Sequence, residues 1–486
     1  MRDMVLILNF SESSSSRDIA RALRAEQVYC KIVPGSISLE EIEAQQPRGL
    51  ILSGGVSGRV PSGMDAGILN ADFPVLALGN AASMLCRELG GDAQETAISN
   101  SISEVRFHVC ALTERIDNCE RMLYNVRRLR LPDGAVTLAE SMEESVGFML
   151  PDRSVYGMQF TLEQNDTDGM QLLLNFVLNI CGCSRWWSHE VFVDHAIEKM
   201  QRVVGNGRAA CAMTGGLDSS VSAMLAFKAL GDRFQGIFID TGLLRENEAA
   251  RFMALYRDQL GMEILHVQAQ ERFLQALNGV TDPGEKRRII GETLQKTLDE
   301  ALESLGEINM IVRGTTCSDV LGGEDYKKRP ALSAKVPVVE PLRELFKSEV
   351  RIVGELLDMP QETIRGQSFP GGGLALRVMG ESSPARLQTL RAVDTIFNEE
   401  INASGQAKRL KQHFAVLCPM PGDDTRVMIA LRAVQSSESA QTVYAARLPY
   451  DLLERTMDRI CRARPEVTRV VYDITPSGAN SGVEWQ

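Results

Sequence analysis

Met213-Thr214-Gly215-Gly216-Leu217-Asp218-Ser219-Ser220-Val221 is the stretch on which the reading of this chain turns. Residues 209–213 before it are short and apolar, and residues 219–230 after it form a helical run, so the stretch is a loop between a buried strand and a helix. Two adjacent glycines permit a tight turn and bring backbone N–H groups close to an anion, and the helix N-terminus adds a favourable dipole. The loop lacks the Gly-Lys-Ser/Thr ending that reaches terminal phosphates in the common nucleotide loop. That argues against γ-phosphate transfer and for a grip on departing pyrophosphate. Taken alone, the nine residues fit equally a glycine-rich turn capped by Asp218 or Ser219.

Composition narrows the field. A chain of 486 residues with 44% hydrophobic content has room for about three domains with buried cores. No apolar run approaches the roughly 18 residues that cross a bilayer, and MRDMVLILNF lacks a basic segment followed by a cleavable hydrophobic stretch, so a cytoplasmic protein without membrane association is expected. A formal charge of −12 argues against nucleic acid as a partner and for a small-molecule substrate. The ten cysteines contain no C-x-x-C pair, which suits reduced thiols better than disulfides or a zinc site, and Cys181-Gly182-Cys183 reads as a helix end.

The order of elements is α/β. Strands are expected at 5–9, 49–53, 75–78 and 155–160, alternating with helical segments as in a parallel sheet covered by helices. A connection at Arg185-Trp186-Trp187-Ser188 leads into an amphipathic helix near 191–204. A second set of strands, at 209–213, 235–240, 263–267 and 309–312, brings three polar loops to one edge: 214–220, Asp240-Thr241-Gly242 and Gly314-Thr315-Thr316. Beyond Phe369 the pattern becomes a helix at 386–400 with strands at 414–418, 426–432 and 468–473. Three domains are expected, at 1–184, 185–366 and 367–486.

These motifs together resemble the GMP synthetase family: GLILSGG (49–55), the 214–221 loop, FIDTGLLRENE (238–248), DPGEKRRIIG (282–291), VEPLRELFKSEVR (339–351) and FPGGGLALRVMGE (369–381). The resemblance implies a class I glutamine-amidotransferase-like domain, an ATP pyrophosphatase domain of the adenine nucleotide alpha-hydrolase type, and a small α+β dimerisation domain, hence a homodimer. It implies ATP and Mg²⁺ as cofactors. The backbone of Thr214, Gly215, Gly216, Leu217, Asp218, Ser219 and Ser220, with the Ser219 and Ser220 hydroxyls, would hold the pyrophosphate, and Asp218 would help arrange Mg²⁺. Asp240, Gly314 and Thr315 would face the nucleotide, and Lys347 would add positive charge to the phosphates. Without the resemblance, Asp240 reads as a turn residue and Lys347 as an exposed helix position.

The chain also departs from the family. Gly79 stands at the position of the glutaminase cysteine and Thr161 at that of its histidine, and only Glu163 remains. Neither Gly79 nor Thr161 can act as nucleophile or base, so no glutaminase activity is expected. Cys86, inside the following helix, reads as a core thiol. The His-His-Asn-Val-Gly-Gly-Leu-Pro lid stretch of the family is absent from 321–338, and the tail at 477–485 reads SGANSGVEW, without the lysine and threonine the family directs at the XMP phosphate. Either the Lys327-Lys328-Arg329 cluster substitutes, or the substrate has changed. Cys317, where the family usually has tyrosine, is a candidate sulfur carrier or a small packing residue. Three functions remain open: adenylation of XMP or a related oxo compound followed by attack of free ammonia, a sulfur-inserting adenylation, and a nucleotide-binding pseudoenzyme that regulates an active synthetase.

Overall fold

The computed structural model describes residues 3–475, apart from 12–13, 57–58, 96–100, 161–165, 322–335, 367–368, 370, 421 and 437–442. The chain divides into two compact units, Met1–Phe192 and Val193–Gln486.

The first unit holds β1 (Val5–Asn9), β2 (Cys30–Pro34), β3 (Gly49–Ser53), β4 (Val75–Leu78), β5 (Asp92–Glu95), β6 (Ser101–Phe107), β7 (Cys119–Leu123), β8 (Arg127–Arg130), β9 (Val136–Ser141), β10 (Glu144–Leu150) and β11 (Val155–Met158). Nine of these form one sheet in the order β2-β1-β3-β4-β11-β10-β9-β6-β7, while β5 and β8 pair separately. From β2 to β11 the strands are parallel. They are continuous apolar runs such as VLILN and VLAL because helices cover both faces of a parallel sheet.

Beyond β11 the sheet turns antiparallel, which corrects the expectation of a purely parallel sheet. β6 alternates buried and exposed residues, the mark of a strand covered on one face only. β9 and β10 join through Met142 and Glu143, both at positive φ (49° and 63°), as a two-residue hairpin turn matched to strand twist requires.

The second unit contains two sheets. β12 (Ala209–Ala212), β13 (Phe234–Asp240), β14 (Ile264–Gln268), β15 (Met310–Val312) and β16 (Val338–Val339) run parallel in the order β14-β13-β12-β15-β16. The chain moves outward from β12 to β13 and β14, then returns to the other side of β12 with β15. The carboxyl ends of β12 and β15 therefore flank a topological switch point, where open α/β sheets form their ligand crevice.

The second sheet is built from β17 (Gln412–Met420), β18 (Asp423–Ser436), β19 (Val443–Ala445) and β20 (Val467–Tyr472), with helices Pro384–Ala403 and Tyr450–Ala463. β17 and β19 pair antiparallel with β18, and β20 pairs parallel with it. One apolar core joins Leu243, Phe273 and Ile290 beside the parallel sheet to Leu374, Leu390, Ile429 and Ile460 beside the second. The Pro283–Ser304 helix that contributes Ile290 starts cleanly: the Asp282 side chain accepts from Glu285 N at 2.8 Å, and Pro283 occupies a first-turn position where its missing N–H costs nothing.

Candidate active site

The loop that follows β12 is wired by its own side chains. Gly215 sits at φ +77°, where a side chain would be strained, and the helix Leu217–Leu230 begins two residues later. Ser219 Oγ donates to Gly216 O at 3.1 Å and accepts from Thr214 N at 3.2 Å. Its single hydrogen being spent, the 3.1 Å contact with Thr214 Oγ1 is donated by the threonine. Ser220 N bonds Gly216 O at 3.1 Å, closing the first turn, and the N–H groups ahead of it have no partner within the helix.

Gly314, after β15, abuts this helix end. A Cβ placed on it would lie 2.6 Å from the backbone carbon of Asp218 and 2.7 Å from Ser219 N, so only glycine admits this approach across the switch point.

Asp218 and Lys347 meet at the same place. Lys347 opens the helix Lys347–Leu356, where Phe346 N donates to Glu349 Oε2 at 2.8 Å, and Lys347 Nζ lies 3.3 Å from Asp218 Oδ2. Asp218 Oδ1 is buried without a hydrogen-bond partner among the described residues. Burial raises the Asp218 carboxyl above the ordinary range, and Asp319 adds to this, while Lys347 and Arg351 oppose it.

Other expected site residues are committed elsewhere. Thr315 is fully buried, and its hydroxyl donates to Glu340 Oε1 at 2.6 Å. Asp240 accepts from Gly242 N at 2.9 Å and from Gln270 Nε2 at 2.7 Å, the geometry of a turn-forming aspartate. Ser220 is fully buried, with the Tyr256 hydroxyl beside it. Cys317 is 5% exposed, and its N–H donates to Leu345 O at 2.9 Å. Sequence reading missed Gln270 and Tyr256, which carry no local motif, and gave no role to Glu340, which lies within the 339–351 motif.

In the first unit, Gly79 makes a sharp turn between β4 and the helix Asn80–Glu88 at φ 62°, ψ −136°. Its N–H donates to Met158 O at 2.8 Å, and the next N–H, of Asn80, donates to Gly55 O at 3.0 Å. A strand-turn-helix elbow of this shape displays a nucleophile in other enzymes, and the N–H after it serves as oxyanion donor. Here the elbow carries only hydrogen, and that N–H is engaged. Cys86 lies buried in the helix, its thiol pushed up to about 11, chiefly by burial. Thr161, Glu163, the Lys327-Lys328-Arg329 cluster and residues 477–485 lie outside the described residues.

Two family models match the chain: glutamine amidotransferase class-I over residues 6–180, and GMP synthase C terminal domain over residues 399–485. A GMP synthase (glutamine-hydrolyzing) of Symbiobacterium thermophilum is 35% identical over 512 residues, covering 100% of this chain and 99% of that protein. The protein of the same name from Thermomicrobium roseum is 37% identical, covering 100% and 97%, and that from Clostridium tetani 36% identical, covering 100% of each. The chain belongs to the GMP synthase family.

Membership assigns the three architectures. The nine-stranded unit is the amidotransferase-like domain, the five-stranded parallel sheet is the ATP-pyrophosphatase-like domain, and the four-stranded sheet with its helices is the small α+β part. Within this GMP synthase family member, Gly79 occupies the elbow of the amidotransferase-like domain. Among the described residues no helix is long and apolar enough to cross a membrane.

Proposed function

We propose that the chain is a ligase that adenylates a carbonyl oxygen of XMP or a related oxo substrate with ATP and lets free ammonia complete the reaction. The observation that carries this reading is the Asp218–Lys347 pair, 3.3 Å apart, at the mouth of the two-glycine loop on the switch point of the parallel sheet. The carbonyl oxygen attacks the α-phosphorus and pyrophosphate leaves. Ammonia then attacks the activated carbon, AMP departs, and one proton is released.

The chain's part in this is positioning and charge. Backbone N–H groups at the start of the Leu217–Leu230 helix face the phosphates, and Lys347 neutralises charge that develops on the leaving group. We assign no phosphate contact to the Ser220 hydroxyl, which is buried.

Mg²⁺ fits this arrangement, because Asp218 Oδ1 is a buried carboxylate oxygen with no hydrogen-bond partner among the described residues. Among the described residues no group of three or more His, Cys, Asp or Glu could hold a metal. The ion would therefore be held by Asp218 together with the nucleotide phosphates, the usual mode for Mg²⁺. When bound it supplies charge neutralisation to the departing pyrophosphate.

The nitrogen source is free ammonia. A glycine at the elbow and an internally bonded Asn80 N–H leave the first domain without a nucleophile and without its oxyanion donor. The burial of Cys317 supports the nitrogen reading over sulfur transfer, because a persulfide carrier must reach the substrate. Incubating the protein with Mg-ATP, XMP and either ammonium or glutamine tests the proposal. AMP, GMP and continuing turnover of pyrophosphate are expected with ammonium and not with glutamine, which allows at most the single equivalent of pyrophosphate from adenylation. No pyrophosphate from ATP with any oxo-purine nucleotide offered would overturn it.

A further inference from the structure

The turn that follows β13, residues 240–245, is held from outside the parallel sheet. Arg391, on the helix Pro384–Ala403, donates from Nε to Leu244 O at 2.8 Å and from Nη2 to Gly242 O. One planar guanidinium thus bridges two carbonyls of the turn, a geometry that a single ammonium cannot copy. The same helix supplies Asp394, whose Oδ2 lies 3.5 Å from Arg245 Nε. Leu374 N donates to Leu243 O at 2.8 Å, and a Cβ on Gly373 would come within 2.4 Å of that oxygen. Every residue from Gly242 to Arg245 is therefore fastened by a group more than a hundred positions further along the chain.

We propose that Arg391 is a positioning residue for the nucleotide: it fixes the 240–245 turn at the carboxyl edge of the parallel sheet, beside the 214–220 loop. The inference rests on the proposed binding of ATP along that edge. Asp240 closes the turn through Gly242 N, so the Gly242 carbonyl held by Arg391 and the amide held by Asp240 belong to one residue. Releasing the carbonyl frees the turn to move while leaving the loop itself untouched. The helix Pro384–Ala403, built into the four-stranded sheet's domain, becomes an arm of the nucleotide site.

The test compares wild type, Arg391→Met and Arg391→Lys. Hydrogen exchange across residues 240–248, measured without nucleotide, is expected to speed up in both variants. KM for ATP in pyrophosphate release is expected to rise about tenfold in Arg391→Met and less in Arg391→Lys, consistent with the loss of one to two charge-assisted hydrogen bonds. KM for the oxo substrate should stay unchanged, and millimolar guanidinium should recover part of the loss in Arg391→Met. Unchanged exchange overturns the clamp. Faster exchange with an unchanged KM for ATP overturns the positioning role. If Arg391→Met does not fold, Arg391→Lys decides by the same two readings. Absence of saturable ATP binding by the wild type overturns the underlying reading of the site, an outcome visible before any variant is made.

Discussion

Lys347 Nζ stands 3.3 Å from Asp218 Oδ2, and the other oxygen of that carboxylate is buried with no hydrogen-bond partner among the described residues. The pair joins two helix beginnings 129 positions apart (347 − 218) at the switch point of a parallel sheet. Substituting Lys347 by Met removes the cation facing the phosphates, and pyrophosphate release is expected to fall on the order of a hundredfold or more, the usual loss when a preorganised charge-stabilising group is removed. Asp218→Asn should have a similar effect with little change in melting temperature, because it relieves a carboxyl whose ionised form burial already disfavours. Retained activity in either variant would detach the pair from the chemistry.

Gly314→Ala tests the closeness of the two loops. The added Cβ meets backbone atoms of Asp218 and Ser219 at 2.6–2.7 Å, and backbone cannot swing aside as a side chain can. A loss of about 1–3 kcal/mol in stability is expected, measured by urea unfolding, with ATP turnover falling further than stability alone explains.

The architecture was legible where strands are buried on both faces. VLILN, GLILS, VLAL and FQGIFID announce themselves as apolar runs, and the polar loops after β12, β13 and β15 follow from them. Residues 101–150 were not, because β6 to β10 mix Arg or Glu into strands that are buried over only part of their length. The loop glycines and Lys347 were named from the sequence, but their meeting depends on how two distant helices start. The inward turn of Thr315 and Ser220 is a matter of packing, and the Arg391 contact with Leu244 spans 147 positions, beyond any local pattern.

Restoring a thiol to the first domain is not expected to restore glutamine hydrolysis. In Gly79→Cys the new side chain would sit on a backbone at φ 62°, at a cost of about 1–3 kcal/mol, and the Asn80 N–H would still be bonded to Gly55 O. Glutamate release from glutamine should remain at background in a coupled assay. Release above background would mean that the remaining machinery is intact.

His413 gives a pH signature. It is buried against Phe397, and burial, with Arg245 and Arg377 adding to it, lowers its pKa to about 4 from an ordinary 6.5. The unfolded chain therefore binds a proton in that interval that the folded chain refuses. Stability is fully present above about 6.5 and is lost as pH falls toward 4, by about 3 kcal/mol. Chemical denaturation of wild type and His413→Gln at pH 7 and pH 5 should diverge by about 2 kcal/mol, the part of that loss reached by pH 5, the wild type losing more.

Lys286 should be costly to remove. Its ammonium is fully buried and donates to the carbonyls of Ala375, Val378 and Gly380 at 3.1, 2.8 and 2.6 Å, and burial lowers its pKa to about 8. Lys286→Met takes the donor from three carbonyls at once, of which, among the described residues, only Ala375 O keeps another, the Ser382 hydroxyl at 3.1 Å, and a loss of about 3 kcal/mol is expected in thermal or urea unfolding.

The interior that Leu243, Phe273 and Ile290 share with Leu390, Ile429 and Ile460 has a consequence for how this chain can be taken apart. A cut near residue 366 passes between two sheets that look separable on paper, yet each piece would keep half of one oily seam and expose it to water. The two halves would come out as sticky fragments and not as interchangeable parts. Anyone wishing to graft the nucleotide-handling sheet into another protein must bring the Pro384–Ala403 helix with it.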